Sequence, residues 1–323
     1  MKVLITGGMG VIGFQVAEKF VQEGHRPILF ARHRDESLIR NIRGELEIEL
    51  GDILDLPRLL QVIKTHRVTH IVHAAAFVGA MSQANPALSV QVNVMGTVNV
   101  LEAARLLDVQ RVVYTSAKGV YGHIDGDYAH PTYTPLPEDH PTRPVRIYES
   151  AKLMGEHTSL YYQAALGVDS VVLRFSTTYG PGKTARHGKM GLTSDLVESA
   201  FTGRPFRLAR GGDQKDDFIY NKDVALGIYL AAVAKTLKHR VFNIGSGVGV
   251  TLREMAELLK GYFPRAEIEI GPGLNYLDSP TQYYSVYDIS RARDELGYVP
   301  QYDLAKGVGD YLAFLEKNAS RGT

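Results

Sequence analysis

The chain has 323 residues, a net charge of +1, and 45% hydrophobic against 22% charged residues. This is enough for one large or two modest soluble domains, without the bulk field that nucleic acid or an anionic membrane surface calls for. Cysteine is absent, which excludes disulfides, thiolate catalysis and cysteine-bound metal, and no apolar run is long enough to span a bilayer.

Taken in chain order, Val3–Ile5 read as a buried strand, Thr6–Gly13 as a glycine turn (TGGMGVIG), and Val11, Ile12, Val16, Ala17 and Phe20 as the apolar face of a helix. Strands are predicted over 27–30, 45–50, 70–73, 111–115 and 170–174, and helices over 55–65, 87–107 and 147–165. This alternation predicts a doubly wound parallel sheet of the α/β (Rossmann) class, with ligands at the carboxyl ends of its strands. Residues 123–144 are rich in Pro, His and Asp and read as a loop over the site. The expected division is a dinucleotide-binding domain over 1–175, with 213–245 returning to it. A smaller substrate-binding lobe takes 176–212 and 246–323. The opening residues read as core strand rather than leader, and a cytoplasmic location is expected.

The strand–glycine–helix order predicts a pyrophosphate site at the helix N-terminus. Gly7 is suited to a positive φ, Gly10 to close approach by phosphate and Gly13 to helix–strand packing, with Met9, Val11 and Ile12 completing the turn. At the end of the second strand an acid binds a ribose 2′-hydroxyl, whereas arginine pairs with a 2′-phosphate. Here Arg32 and Arg34 follow the strand and no acid ends it, so NADP(H) is favoured over NAD. Asp52 and Ile53 are expected to flank the adenine, and Ala74, Ala75 and Ala76 to leave room for the dinucleotide. His73 reads as a strand-end histidine satisfied by backbone rather than as a catalytic group.

Tyr148 and Lys152 stand four apart in a helical segment and so share a face. A phenol titrates near ~10, and a neighbouring ammonium favours its phenolate. Tyr148 is thereby suited to pass a proton to or from a substrate oxygen as hydride moves, with Ser116 (or Thr115) holding that oxygen. The scattered histidines make a metal site unexpected.

With these motifs in view, the chain resembles the extended short-chain dehydrogenase/reductases of the NAD-dependent epimerase/dehydratase family, over nearly its whole length. The resemblance lies in TGGMGVIG from Thr6, GDILD from Gly51, HAAA from His73, NVMGTVNVLEAAR from Asn93 and YTSAKGVYG from Tyr114. It continues in YESAK from Tyr148, LRFSTTYGPG from Leu173, DFIYNKDVA from Asp217 and ISRARDELGYVP from Ile289. It implies cofactor binding by Gly7, Gly10 and Gly13, and a catalytic pair in Tyr148 and Lys152 with a third member near 116.

Four departures set the chain apart from other branches of the family. Ala117 stands where the epimerases place their catalytic Ser or Thr, whereas the carbonyl reductases place it at Ser116. Lys118 and Gly119 replace the acids that dehydratases and decarboxylases carry. Asp216 replaces an arginine, and 273–278 shows no counterpart to a later pyrophosphate arginine.

The expected activity is hydride transfer between nicotinamide and a secondary alcohol or ketone of a sugar-like or hydroxy-acid substrate. The alternative is a sugar or nucleotide-sugar epimerase that retains NAD. A third reading is a non-catalytic dinucleotide-binding protein, against which Tyr148 and Lys152 argue. Lys118, Thr177, Ser116 and Arg186 are candidate substrate residues, with Lys183, His187 and Lys189 on the same loops and able to meet an anionic group. A homodimer through segments 87–107 and 147–165 is expected.

Overall fold

The computed structural model describes residues 1–319, and the side chains of His187 and Lys189 lie outside the described residues. The strands in chain order are β1 (Val3–Thr6), β2 (Ile28–Ala31), β3 (Glu47–Leu50), β4 (His70–His73), β5 (Arg111–Ala117) and β6 (Ser170–Phe175). They continue as β7 (Thr177–Tyr179), β8 (Phe206–Leu208), β9 (Lys215–Tyr220), β10 (Val241–Ile244), β11 (Gly249–Thr251) and β12 (Ile268–Ile270). Seven of them form one sheet in the order β10-β6-β5-β4-β1-β2-β3, every neighbouring pair parallel. Val3, Leu4 and Ile5 at its centre are fully buried, as a strand covered on both faces requires.

Helices α1 (Gly13–Gln22), α2 (Leu56–His66), α3 (Gly79–Ala84), α4 (Pro86–Val90), α5 (Gly96–Leu106) and α6 (Ile147–Leu166) fill the connections. A wide π turn over Gln91–Met95 joins α4 to α5, so the predicted 87–107 helix is one rod with a looser turn inside it. Beyond β7 follow α7 (Lys183–His187), α8 (Leu192–Thr202), α9 (Asn221–Val233), α10 (Leu252–Tyr262), α11 (Ser290–Leu296) and α12 (Leu304–Ala319). Helices α1 and α9 pack together on one face of the sheet, and α2, α5 and α6 on the other.

Chain order reverses between β1 and β4, and the crevice of such a sheet opens at that switch point. The carboxyl ends there are Thr6 and His73. A second core, with Leu196, Val197, Leu252, Leu259, Tyr311 and Leu312, is built from α8, α10 and α12 with the short strands β7, β8, β9 and β12. The sheets β11-β9-β7 and β12-β8 were not read from the sequence, because every strand in them except β9 has three residues, too short to show a period.

Candidate active site

Gly7 and Gly13 sit where a side chain has no room. Gly7 sits at φ +67°, and a Cβ there would lie 2.8 Å from Ala75 backbone; one on Gly13 would lie 2.2 Å from the Gly7 carbonyl oxygen. The Gly7 N–H donates to the Phe30 carbonyl and the Gly10 N–H to that of Gly7, so the turn is tied to β2 and to itself. Beside it runs a cleft lined by Gly7, Phe30, Ala31, Arg32, Gly51, Asp52, Ile53, Ala75, Ala76 and Val92. The cradle fits a dinucleotide: the backbone is bare where a side chain would block it, at a helix N-terminus below an open crevice.

Arg32 lines this cleft. Arg34 pairs with Glu36 at 2.5 Å. Asp52 Oδ1 accepts from the Leu54 N–H at 2.9 Å, and Ala74 and Ala75 donate to the Thr6 backbone and hydroxyl oxygens. Met9, Val11 and Ile53 are buried, and Ile12 packs against the core. His73 is enclosed between Thr6 Oγ1 at 2.7 Å and Thr97 Oγ1 at 3.0 Å. Burial lowers its pKa to about 3, so it is a neutral tie between β1, β4 and α5.

Tyr148 and Lys152 lie on the first turns of α6, which packs along β5. Lys152 Nζ is 6.0 Å from the centre of the Tyr148 ring and 5.0 Å from that of Tyr114, and donates to the Thr115 carbonyl at 2.7 Å. Burial lowers the Lys152 pKa to about 8, with Glu156 acting against the shift. Burial raises the Tyr148 phenol, and Glu149 adds to it. The pair is therefore assembled with the phenol protonated.

Three expected residues are engaged elsewhere. Ser116 is in register with Arg174 on β6, which turns its side chain to the face where Glu156 and Arg174 form a buried ion pair at 2.7 Å. Its hydroxyl donates to Glu156, so it does not stand free to hold a substrate oxygen. The Thr115 hydroxyl donates to the His73 carbonyl at 3.0 Å. Arg186 is tied to the glycine turn and to the segment after β2. It pairs with Asp35, and its Nη1 donates to the Met9 carbonyl at 3.2 Å.

Lys118 and Thr177 are brought together by a group that sequence reasoning noted only as a departure. Asp216, 1% exposed, pairs with Lys118 and accepts from Thr177 Oγ1 at 2.6 Å and Tyr276 Oη at 3.0 Å. Lys183 is buried close by with its ammonium on Thr178, and burial lowers its pKa to about 7. Tyr276 comes from the distant 271–287 segment and carried no sequence signal.

The family model described as the NAD dependent epimerase/dehydratase family matches residues 3–245. A putative UDP-glucose 4-epimerase of Methanocaldococcus jannaschii is 28% identical over 98% of this chain and 99% of its own. The UDP-glucose 4-epimerase of Rhizobium leguminosarum bv. trifolii is 30% identical over 94% of each. Among solved structures, the Thermus thermophilus UDP-glucose 4-epimerase complex with NAD is 26% identical. It superposes with a TM-score of 0.82 over 98% of this chain and 99% of that one. A model that spans most of the chain and relatives of its full length show that the chain belongs to the NAD-dependent epimerase/dehydratase family.

Proposed function

We propose that the protein is an NAD(P)-dependent enzyme that moves a hydride between nicotinamide and a secondary alcohol or ketone carbon of a sugar-like substrate. The observation that carries this reading is the Tyr148–Lys152 pair on the face of α6 that packs along β5, whose neighbour β4 borders the glycine cradle. The dinucleotide, when bound, supplies the hydride acceptor and donor; Gly7, Gly10 and Gly13 would hold it, with Asp52, Ile53 and Ala74–Ala76 at its adenosine side. Tyr148 exchanges a proton with the substrate oxygen. The Lys152 ammonium, fixed on the Thr115 carbonyl, stabilises the phenolate that this exchange leaves. Alanine at 117 and the commitments of Thr115 and Ser116 leave Tyr148 as the hydroxyl of this group turned to that oxygen. Lys118, Thr177, Asp216 and Tyr276 offer donors and acceptors suited to substrate hydroxyls.

The second reading, a nucleotide-sugar epimerase that retains its cofactor, is favoured by the UDP-glucose 4-epimerases among the relatives. A lone carboxylate at 216 would repel a pyrophosphate; the ion pair of Asp216 with Lys118 offsets that charge. Incubation with NAD and UDP-glucose, followed by NMR and nicotinamide absorbance, tests both. Conversion to the C4 epimer without net reduction is the epimerase result, net reduction is the dehydrogenase result, and no reaction on any sugar or sugar acid contradicts both.

Arg32 at the cleft supports NADP(H), whereas Arg34 is spent on Glu36, and the Thermus relative is described with NAD. If Arg32 binds a 2′-phosphate, Arg32→Ala weakens NADP(H) binding about tenfold and leaves NAD unchanged. Equal effects on both cofactors contradict that role.

A further inference from the structure

Glu149 follows Tyr148 in the first turn of α6 and is 7% exposed. It runs past Gly119, where a Cβ would lie 2.3 Å from Glu149 Cγ and 3.3 Å from its carboxyl carbon. The absent side chain of residue 119 thus makes the room that this carboxyl occupies. Gln83 and the residue's own N–H offer it hydrogen bonds. Oε2 nevertheless has no partner, although it is sealed from solvent.

The segment after Ser279 brings in Tyr283, 8% exposed, whose hydroxyl also lacks a hydrogen bond of good geometry. Ser279 beside it already accepts from Arg146 at 2.6 Å and from the Thr281 N–H. Arg146 itself lies over the Tyr283 ring at 5.8 Å. Burial is the main cause that raises the phenols of Tyr148 and Tyr283, and the Glu149 charge adds to it at both. The carboxyl therefore lies within electrostatic reach of both phenols. A buried acceptor and a buried hydroxyl left unpaired cost a folded protein stability and call for an explanation at the site where they occur.

We infer that Glu149 and Tyr283 form a hydroxyl-binding subsite beside the reacting carbon. One hydroxyl of a polyhydroxylated substrate donates there to Glu149 Oε2 and accepts from the Tyr283 phenol. The chemistry is selective. An alcohol satisfies both orphaned groups, an apolar substituent satisfies neither, and an anionic substituent is repelled by the carboxylate. Burial also raises the Glu149 pKa, in keeping with a carboxyl whose Oε2 is left without a donor. This subsite rests on the sugar-like substrate proposed above.

The competing role for Glu149 is structural, an acid that complements the N-terminal dipole of α6. Full-length Glu149→Met and Tyr283→Phe, each with NAD bound, separate the two by calorimetry and by kinetics on a panel of UDP-hexoses, dTDP-hexoses and free aldohexoses. Removing unpaired polar atoms raises Tm by about 2 °C in both variants. For the hexose that the wild type converts, KM rises about tenfold or more while kcat changes by less than about threefold. A lower Tm in both variants with KM unchanged overturns the subsite and assigns the helix-capping role. Should the wild type convert no hexose of the panel, the proposed substrate class fails, and the direction of the Tm shift alone decides the subsite.

Discussion

At the residue scale, the proposed proton carrier Tyr148 and its partner Lys152 share the first turns of α6. Tyr148 and Lys152 announce themselves because a spacing of four places both on one helix face. Ser116 was misread because two hydroxyls precede Ala117 and sequence alone does not show which face of β5 each occupies. The register Ser116↔Arg174 decides it, and the Glu156 carboxylate takes the serine hydroxyl. Ser116→Ala should therefore cost about 1 kcal/mol of stability and leave kcat within about threefold of wild type. A loss of two orders of magnitude or more would restore Ser116 to the chemistry.

Lys152 yields a pH test. Burial lowers its pKa to about 8, so the ammonium that supports the phenolate is present below that pH and lost above it. Turnover should fall on the alkaline side with an apparent pKa near about 8, and in Lys152→Arg, whose guanidinium stays charged, that fall should move to higher pH. An alkaline limb unmoved in the arginine variant would place the titration elsewhere.

At the level of elements, the strands of the parallel sheet's first half and the helices of ten residues or more were readable because their apolar positions show their burial, whereas the six-residue α3 was not. The second half was not, because its order rests on polar hubs joining segments far apart in sequence. Asp217 is fully buried and accepts from Ser176 Oγ, the Ser246 N–H and hydroxyl, the Gly247 N–H and the Tyr287 N–H. It ties β9 to the end of β6, to the loop after β10 and to the 285–287 segment. Asp217→Ala leaves these donors without their acceptor. It should destabilise by about 3 kcal/mol or more, measured by denaturant unfolding; a loss under about 1 kcal/mol would mean that water replaces the carboxylate. The strap by which Arg186 on α7 reaches Asp35 and Met9 is equally invisible in sequence, since it spans 151 and 177 residues.

For the molecule as a whole, the outer faces of two helical rods suggest how it assembles. Leu88 and Met95 are 38% and 48% exposed, seven residues apart, and Met154 and Tyr161 are 54% and 62% exposed at the same spacing. Apolar side chains at that interval form a stripe along a helix, and two such stripes suit the two-fold four-helix contact that we propose for a homodimer. Met154→Glu with Tyr161→Glu should convert a dimer into a folded monomer in sedimentation. A wild type that sediments as a monomer would contradict the dimer.

The proposed activity depends on a proton carried by the Tyr148 phenol as hydride moves at the bound cofactor. Single-turnover reduction of bound NAD(P) by the converted sugar, in wild type and Tyr148→Phe, tests it most directly. The account predicts that the rate falls by about 10²–10⁴ in the phenylalanine variant while cofactor affinity is kept. An unchanged rate would contradict it.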